Sequence, residues 1–93
     1  MKTYLLTWKT DDDQKICNLL GATKQVTVIE DNEEDAILKG SFILMELLAK
    51  EGKVLCDSTP EDDGICIRVY DQKLKGRKLA ELRNIRAKEI WEV

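Results

Sequence analysis

Between Asp31 and Gly52 the apolar residues recur every three or four positions, the period of an amphipathic helix. The pattern predicts a helix over about 32–51, with Ile37, Ile43, Leu44, Leu47 and Leu48 on one broad side. Leu38, Phe42, Met45 and Ala49 continue round the flank, and only Asp35, Lys39 and Glu46 form a polar strip. Asp31 is the expected N-cap, with Glu34 completing a capping box; Glu33, Glu34 and Asp35 suit the positive end of the helix dipole. Gly52 is the expected stop. So wide an apolar surface exceeds what one sheet covers, so its second side is expected to be covered either by another helix or loop of the same chain, the more ordinary arrangement, or by a partner or second copy, for which Phe42 and Met45 are the candidate surface.

The rest of the chain reads largely as strands. Residues 2–9 alternate, with Tyr4, Leu6 and Trp8 on one face. Thr10 caps an expected short helix ending at Gly21, and the β-branched run 24–30 forms a second strand leading into the long helix. Residues 53–57 and the alternating segment around Ile65, Ile67 and Val69 pair as a hairpin, with 58–64 as its turn. Residues 79–83 read as helical turns, and 85–93 as either a closing strand or a helix. The fold class expected is α+β: one domain over 1–93, a small four- or five-stranded mixed or antiparallel sheet packed on one long helix.

Composition narrows the chemistry. The chain has 93 residues and no histidine, which removes His-assisted nucleophiles and imidazole metal sites. Three cysteines, Cys17, Cys56 and Cys66, lack any CxxC spacing and read as reduced cytoplasmic thiols; the hairpin could set Cys56 opposite Cys66, while a buried cysteine acting as a small hydrophobe is the ordinary case. Neither a signal peptide nor a span of about 20 apolar residues is present. The net charge of −3 is unevenly split, with 8 basic and 15 acidic residues in 1–72 against 7 basic and 3 acidic in 73–93.

Two charged surfaces follow as candidate contact regions. The acidic one comprises Asp11, Asp12 and Asp13 with Glu30, Asp31, Glu33, Glu34 and Asp35. If the first two strands run parallel, both groups sit at one edge of the sheet and offer Mg²⁺ a set of hard oxygen ligands, although carboxylates at helix starts act first as caps. The basic one comprises Lys73, Lys75, Arg77, Lys78, Arg83, Arg86 and Lys88, a cation density that suits phosphates, interrupted by Glu81, Glu89 and Glu92. Asp12, Asp13 and Asp57 do not complete the acidic pocket of response-regulator receiver domains, because the turn after Asp57 is too short and Lys9 and Thr10 intervene; no family is claimed.

The function expected is a small non-enzymatic, cytoplasmic protein-binding or regulatory module without cofactor or metal, holding a basic protein partner through its acidic residues. Compact acidic chains of this kind have the composition of phage- or mobile-element-encoded inhibitors. A nucleic-acid-associated protein using residues 73–88 is the first alternative. A metal-dependent enzyme using the acidic edge is the second.

Overall fold

The computed structural model describes residues 1–10, 25–50, 54–62, 64–73 and 77–90. In chain order these form β1 (Lys2–Lys9), β2 (Val26–Glu30), α1 (Glu33–Lys50), β3 (Val54–Glu61), β4 (Gly64–Asp71) and β5 (Lys78–Glu89). The strands make a five-stranded sheet in the order β2-β1-β5-β4-β3, antiparallel at every pairing, so the fold is α+β. Residues 11–21 of the expected short helix, Gly52, Trp91 and Val93 lie outside the described residues.

One face of the sheet and one stripe of α1 share the core. Tyr4 and Leu6 from β1, Val26 and Val28 from β2, and Ile67 and Val69 from β4 alternate inward and are buried. From α1 the buried positions are Ala36, Gly40, Ser41, Leu44 and Leu48. Ile37, Ile43 and Leu47, expected at the centre of the buried side, are half-buried at its margins. The stripe is centred elsewhere because Gly40 has no side chain and lets the helix backbone lie directly against Leu6.

The helix begins later than expected. Asn32, not Asp31, caps it: Asn32 Oδ1 accepts the Asp35 N–H at 2.9 Å, and Asn32 Nδ2 donates to Asp35 Oδ2 at 3.0 Å. The Ala36 N–H donates to the Asn32 carbonyl at 3.1 Å as the first helical bond. Asn and Asp are equally good caps, so the sequence leaves a choice between adjacent residues.

β5 departs most from the sequence reading, because the helical turns expected at 79–83 are part of a continuous 12-residue strand. Against β1, Thr7 pairs with Arg86 and Lys9 with Arg83; against β4, Ile65 pairs with Ile85 and Ile67 with Leu82. On both sides β5 carries one more residue than its neighbour, a β-bulge at Arg83–Asn84. Asn84 has φ 52°, the left-handed region that asparagine tolerates better than most residues. The bulge resets the alternation, so Leu82 and Ile85 both point into the core although three positions apart. A second register shift, between Val69 and Tyr70 of β4, lies opposite Ala80 and Lys78.

The β3–β4 hairpin forms as expected, but β3 runs through Ser58, Thr59 and Pro60 to Glu61, which shortens the turn. Proline is tolerated there because β3 is an edge strand and no ladder bond is lost on its open side. Cys56 pairs with Val69 and Cys66 with Thr59, so the two thiols do not face each other.

Candidate functional site

Edge strand β3 and the outer flank of α1 enclose a groove of about 260 Å³. Leu38, Phe42 and Met45 come from one side of the helix, Cys56, Asp57 and Ser58 from β3, and Ile65 from β4, with Ser41 also lining the space. Phe42 is 60% exposed and Leu38 54% exposed. An aromatic ring and a leucine thus stand open at the mouth of the groove, next to a half-buried Met45.

Two polar features orient this groove. The Ser41 hydroxyl is buried among its lining residues without a hydrogen-bond partner, a cost that an incoming donor or acceptor would relieve. Cys56 Sγ donates to the Met45 carbonyl at 3.9 Å, and burial pushes its thiol pKa up. That direction disfavours the thiolate, so Cys56 behaves here as a small apolar lining residue. Along the open side of β3, backbone N–H and C=O groups of alternate residues point away from β4, up to Pro60, which has no N–H to offer.

The opposite face of the β3–β4–β5 region carries a charge network. Arg68 donates from Nη1 to Thr59 Oγ1 at 2.7 Å, from Nη2 to Glu61 Oε1 at 3.2 Å and from Nε to Glu81 Oε1 at 3.3 Å. Glu81 also pairs with Lys78 at 3.3 Å and Arg83 at 3.4 Å. Burial acts to raise the Glu81 pKa, but the Lys78 hydrogen bond and charge, the Arg83 charge and the Arg68 hydrogen bond overcome it and hold the carboxyl below its usual range. Cys66 is fully buried; burial raises its pKa, Glu61 and Glu81 add to this, and Arg68 and Arg83 oppose it.

These contacts divide the basic segment expected to act as one surface. Lys78 and Arg83 are engaged by Glu81, whereas Arg86 and Lys88 stand exposed on β5 opposite Thr7 and Leu5. Lys73 and Arg77 flank the β4–β5 connection, where the Lys73 N–H donates to Asp71 Oδ1 at 2.8 Å. Lys75 lies outside the described residues.

No family model matches this chain, and neither a curated protein nor a solved structure does.

The acidic residues are likewise divided. β1 and β2 are antiparallel, with Lys2 opposite Glu30, so the carboxylates at the start of α1 stand at the end of the sheet opposite Lys9. The shared acidic edge that parallel strands would have made is therefore not formed by β1 and β2. Asp11, Asp12 and Asp13 lie outside the described residues. Glu30 pairs with Lys39 at 3.4 Å, Asp35 belongs to the cap, and Asp31, Glu33 and Glu34 are exposed around it. Among the described residues no group of three or more carboxylates and thiols is placed to hold a metal ion, and no helix is long and apolar enough to cross a membrane.

Of the groove, the sequence reading named Phe42 and Met45 and missed Cys56, Ser58 and Ile65. The strand half joins residues of β3 and β4 that the pairing register brings together, so no local pattern in the sequence marked it.

Proposed function

We propose that this protein is a non-enzymatic protein-binding module that takes an extended segment of its partner along β3, with an apolar side chain of that segment seated in the groove beside α1. The observation that carries the reading is the juxtaposition of exposed Leu38 and Phe42 with an unpaired strand edge. Strand addition supplies affinity through main-chain hydrogen bonds, and a pocket beside the edge supplies specificity through every second side chain.

Charge selects the partner. Asp57 and Asp62 are exposed along and just beyond the edge, and Glu46 follows Phe42 by one helical turn. Glu61 is turned to Arg68, but no salt bridge engages these other three among the described residues. The segment that fits combines apolar anchors with lysine or arginine beside them, which agrees with a basic partner. Self-pairing of two β3 edges would set acidic strands against each other, and like charges opposed across strands are destabilising. The acidic residues at the start of α1 serve the helix first and add to the negative field that draws such a segment in.

Selection of displayed peptides against the protein tests this reading. Sequences with alternating apolar and basic residues should be enriched, should shift the backbone amide resonances of β3, and should lose binding to Phe42→Lys and Leu38→Lys variants. Equal enrichment on the double variant, or resonance changes confined to another face, would overturn it. A concentration-dependent dimer in light scattering that Phe42→Lys abolishes would replace the partner with a second copy of this chain.

A further inference from the structure

We propose that a second site, the cleft between β1 and β5 around Lys9 and Arg86, binds a phosphate monoester of about nucleotide size. The cleft has a volume of about 470 Å³ and is lined by Thr7, Trp8, Lys9, Asn84 and Arg86. It lies where β5 bulges, so its shape follows directly from the surplus residue at Arg83–Asn84.

Among the described lining residues the charge is one-sided. Lys9 stands directly opposite Arg83, and Arg86 is opposite Thr7, two residues along the same pair of strands. Cations opposed across a ladder repel, and each normally costs stability unless a carboxylate is near. Arg83 has one, at 3.4 Å in Glu81. Among the described residues no salt bridge engages Lys9, Arg86 or Lys88, even though acidic side chains outnumber basic ones in the chain as a whole. Two such cations at one cleft match a dianion, and phosphate monoesters carry between one and two negative charges near neutral pH.

The remaining lining groups suit the same ligand. The Thr7 hydroxyl and the Asn84 amide are neutral donors for phosphate oxygens, and arginine matches phosphate geometry with paired N–H groups. The volume exceeds that of a bare phosphate and falls within the range of roughly 300–1,000 Å³ typical of small-ligand sites. A nucleic-acid strand fits less well, because Lys78 and Arg83 are both ion-paired with Glu81, which leaves Lys9 and Arg86 as the unpaired cations of the cleft lining among the described residues. The site is separate from the groove at β3, with β4 and β5 standing between β3 and β1.

Amide chemical-shift titration of the whole protein decides the matter, with inorganic phosphate, a nucleoside monophosphate, the unphosphorylated nucleoside and a short single-stranded oligonucleotide as probes. Phosphate and the monophosphate should move the resonances of Thr7, Lys9, Asn84 and Arg86 at millimolar concentration, the monophosphate more tightly, and the nucleoside should not. The exposed-site variant Lys9→Gln/Arg86→Gln should bind the monophosphate roughly tenfold more weakly or worse, the loss expected for charge-assisted contacts. Lys73→Gln, which removes one exposed charge at the β4–β5 connection, should bind as the unaltered protein does. No response to phosphate or the monophosphate, equal loss in Lys73→Gln, or equal binding of the nucleoside would overturn the proposal. Tighter binding per site of the oligonucleotide than of the monophosphate would assign the cleft to nucleic acid instead.

Discussion

The backbone of α1 at Gly40 lies directly on the side chain of Leu6, so closely that a methyl group at Gly40 would overlap both Leu6 Cδ atoms. Leu6 is buried in the middle of the core and cannot swing aside into solvent. This contact sets the distance between helix and sheet, and therefore the depth of the groove on the helix's outer flank.

Gly40→Ala should for that reason destabilise the protein. Helix propensity alone favours alanine by up to about 1 kcal/mol, whereas overpacking a core costs roughly 1–3 kcal/mol, and the second effect wins here. Urea denaturation of the single variant checks the sign. Combined with Leu6→Ala, which clears the space, Gly40→Ala should turn neutral or stabilising, and additive losses in the double variant would show that the two residues do not collide.

Leu44 and Leu48 are fully buried in the same stripe. Truncating either to alanine should cost about 2–5 kcal/mol, as for other core leucines. Leu38→Ala, at an exposed position, should stay within about 0.5 kcal/mol. Melting curves of the three variants would test the assignment, and a large loss for Leu38→Ala would mean that its side chain is covered.

Acid should weaken the fold through Glu81. Its folded pKa lies below the model-compound value of 4.5, so its contribution to stability is complete above the unfolded pKa and disappears as pH falls through the folded one. Stability measured by urea titration should therefore decline below about pH 4.5, and Glu81→Gln should be less stable at pH 7 yet lose less on acidification. An unchanged pH profile in the variant would remove Glu81 from the linkage. The side chain is only 10% exposed, and among the described residues it is the carboxylate that Arg68, Lys78 and Arg83 share.

Asn84→Gly should be neutral or stabilising, and Asn84→Ala should cost on the order of 1 kcal/mol, because a φ of 52° suits glycine, is tolerated by asparagine and strains a plain Cβ. A loss on Asn84→Gly matching that of alanine would point instead to the amide as the stabilising group.

How far these features could be read from sequence depends on whether the pattern was local. The strands β1, β2 and β4 alternate cleanly, and α1 has helical period and a cap, so all four are visible one residue at a time. In β5 the apolar residues Leu79, Leu82 and Ile85 fall three apart, which imitates a helix; the extra residue at Asn84 and the second register shift between Lys78 and Ala80 make that spacing compatible with a strand. Ser58 to Pro60 read as a turn because their residue types are turn formers, and an edge position, invisible in sequence, is what admits them to β3. The seven cations of the basic segment are neighbours in the chain, but register gives Lys78 and Arg83 to Glu81 and leaves Arg86 and Lys88 opposite β1. The groove joins three elements, so no single segment announces it.

The bulge in β5 has a consequence for chain length. Without Asn84, Thr7 to Lys9 would face Arg86, Ile85 and Arg83 in unbroken order, and Ile65 to Ile67 would face Ile85, Arg83 and Leu82. Leu82, Arg83 and Ile85 would then alternate inward, outward and inward, so the same core would be served by a flush ladder on both sides. The surplus is thus removable on packing grounds: a chain one residue shorter at this point should fold with its interior intact and its sheet less sharply twisted, and what it would give up is the hollow beside Lys9 and Arg86.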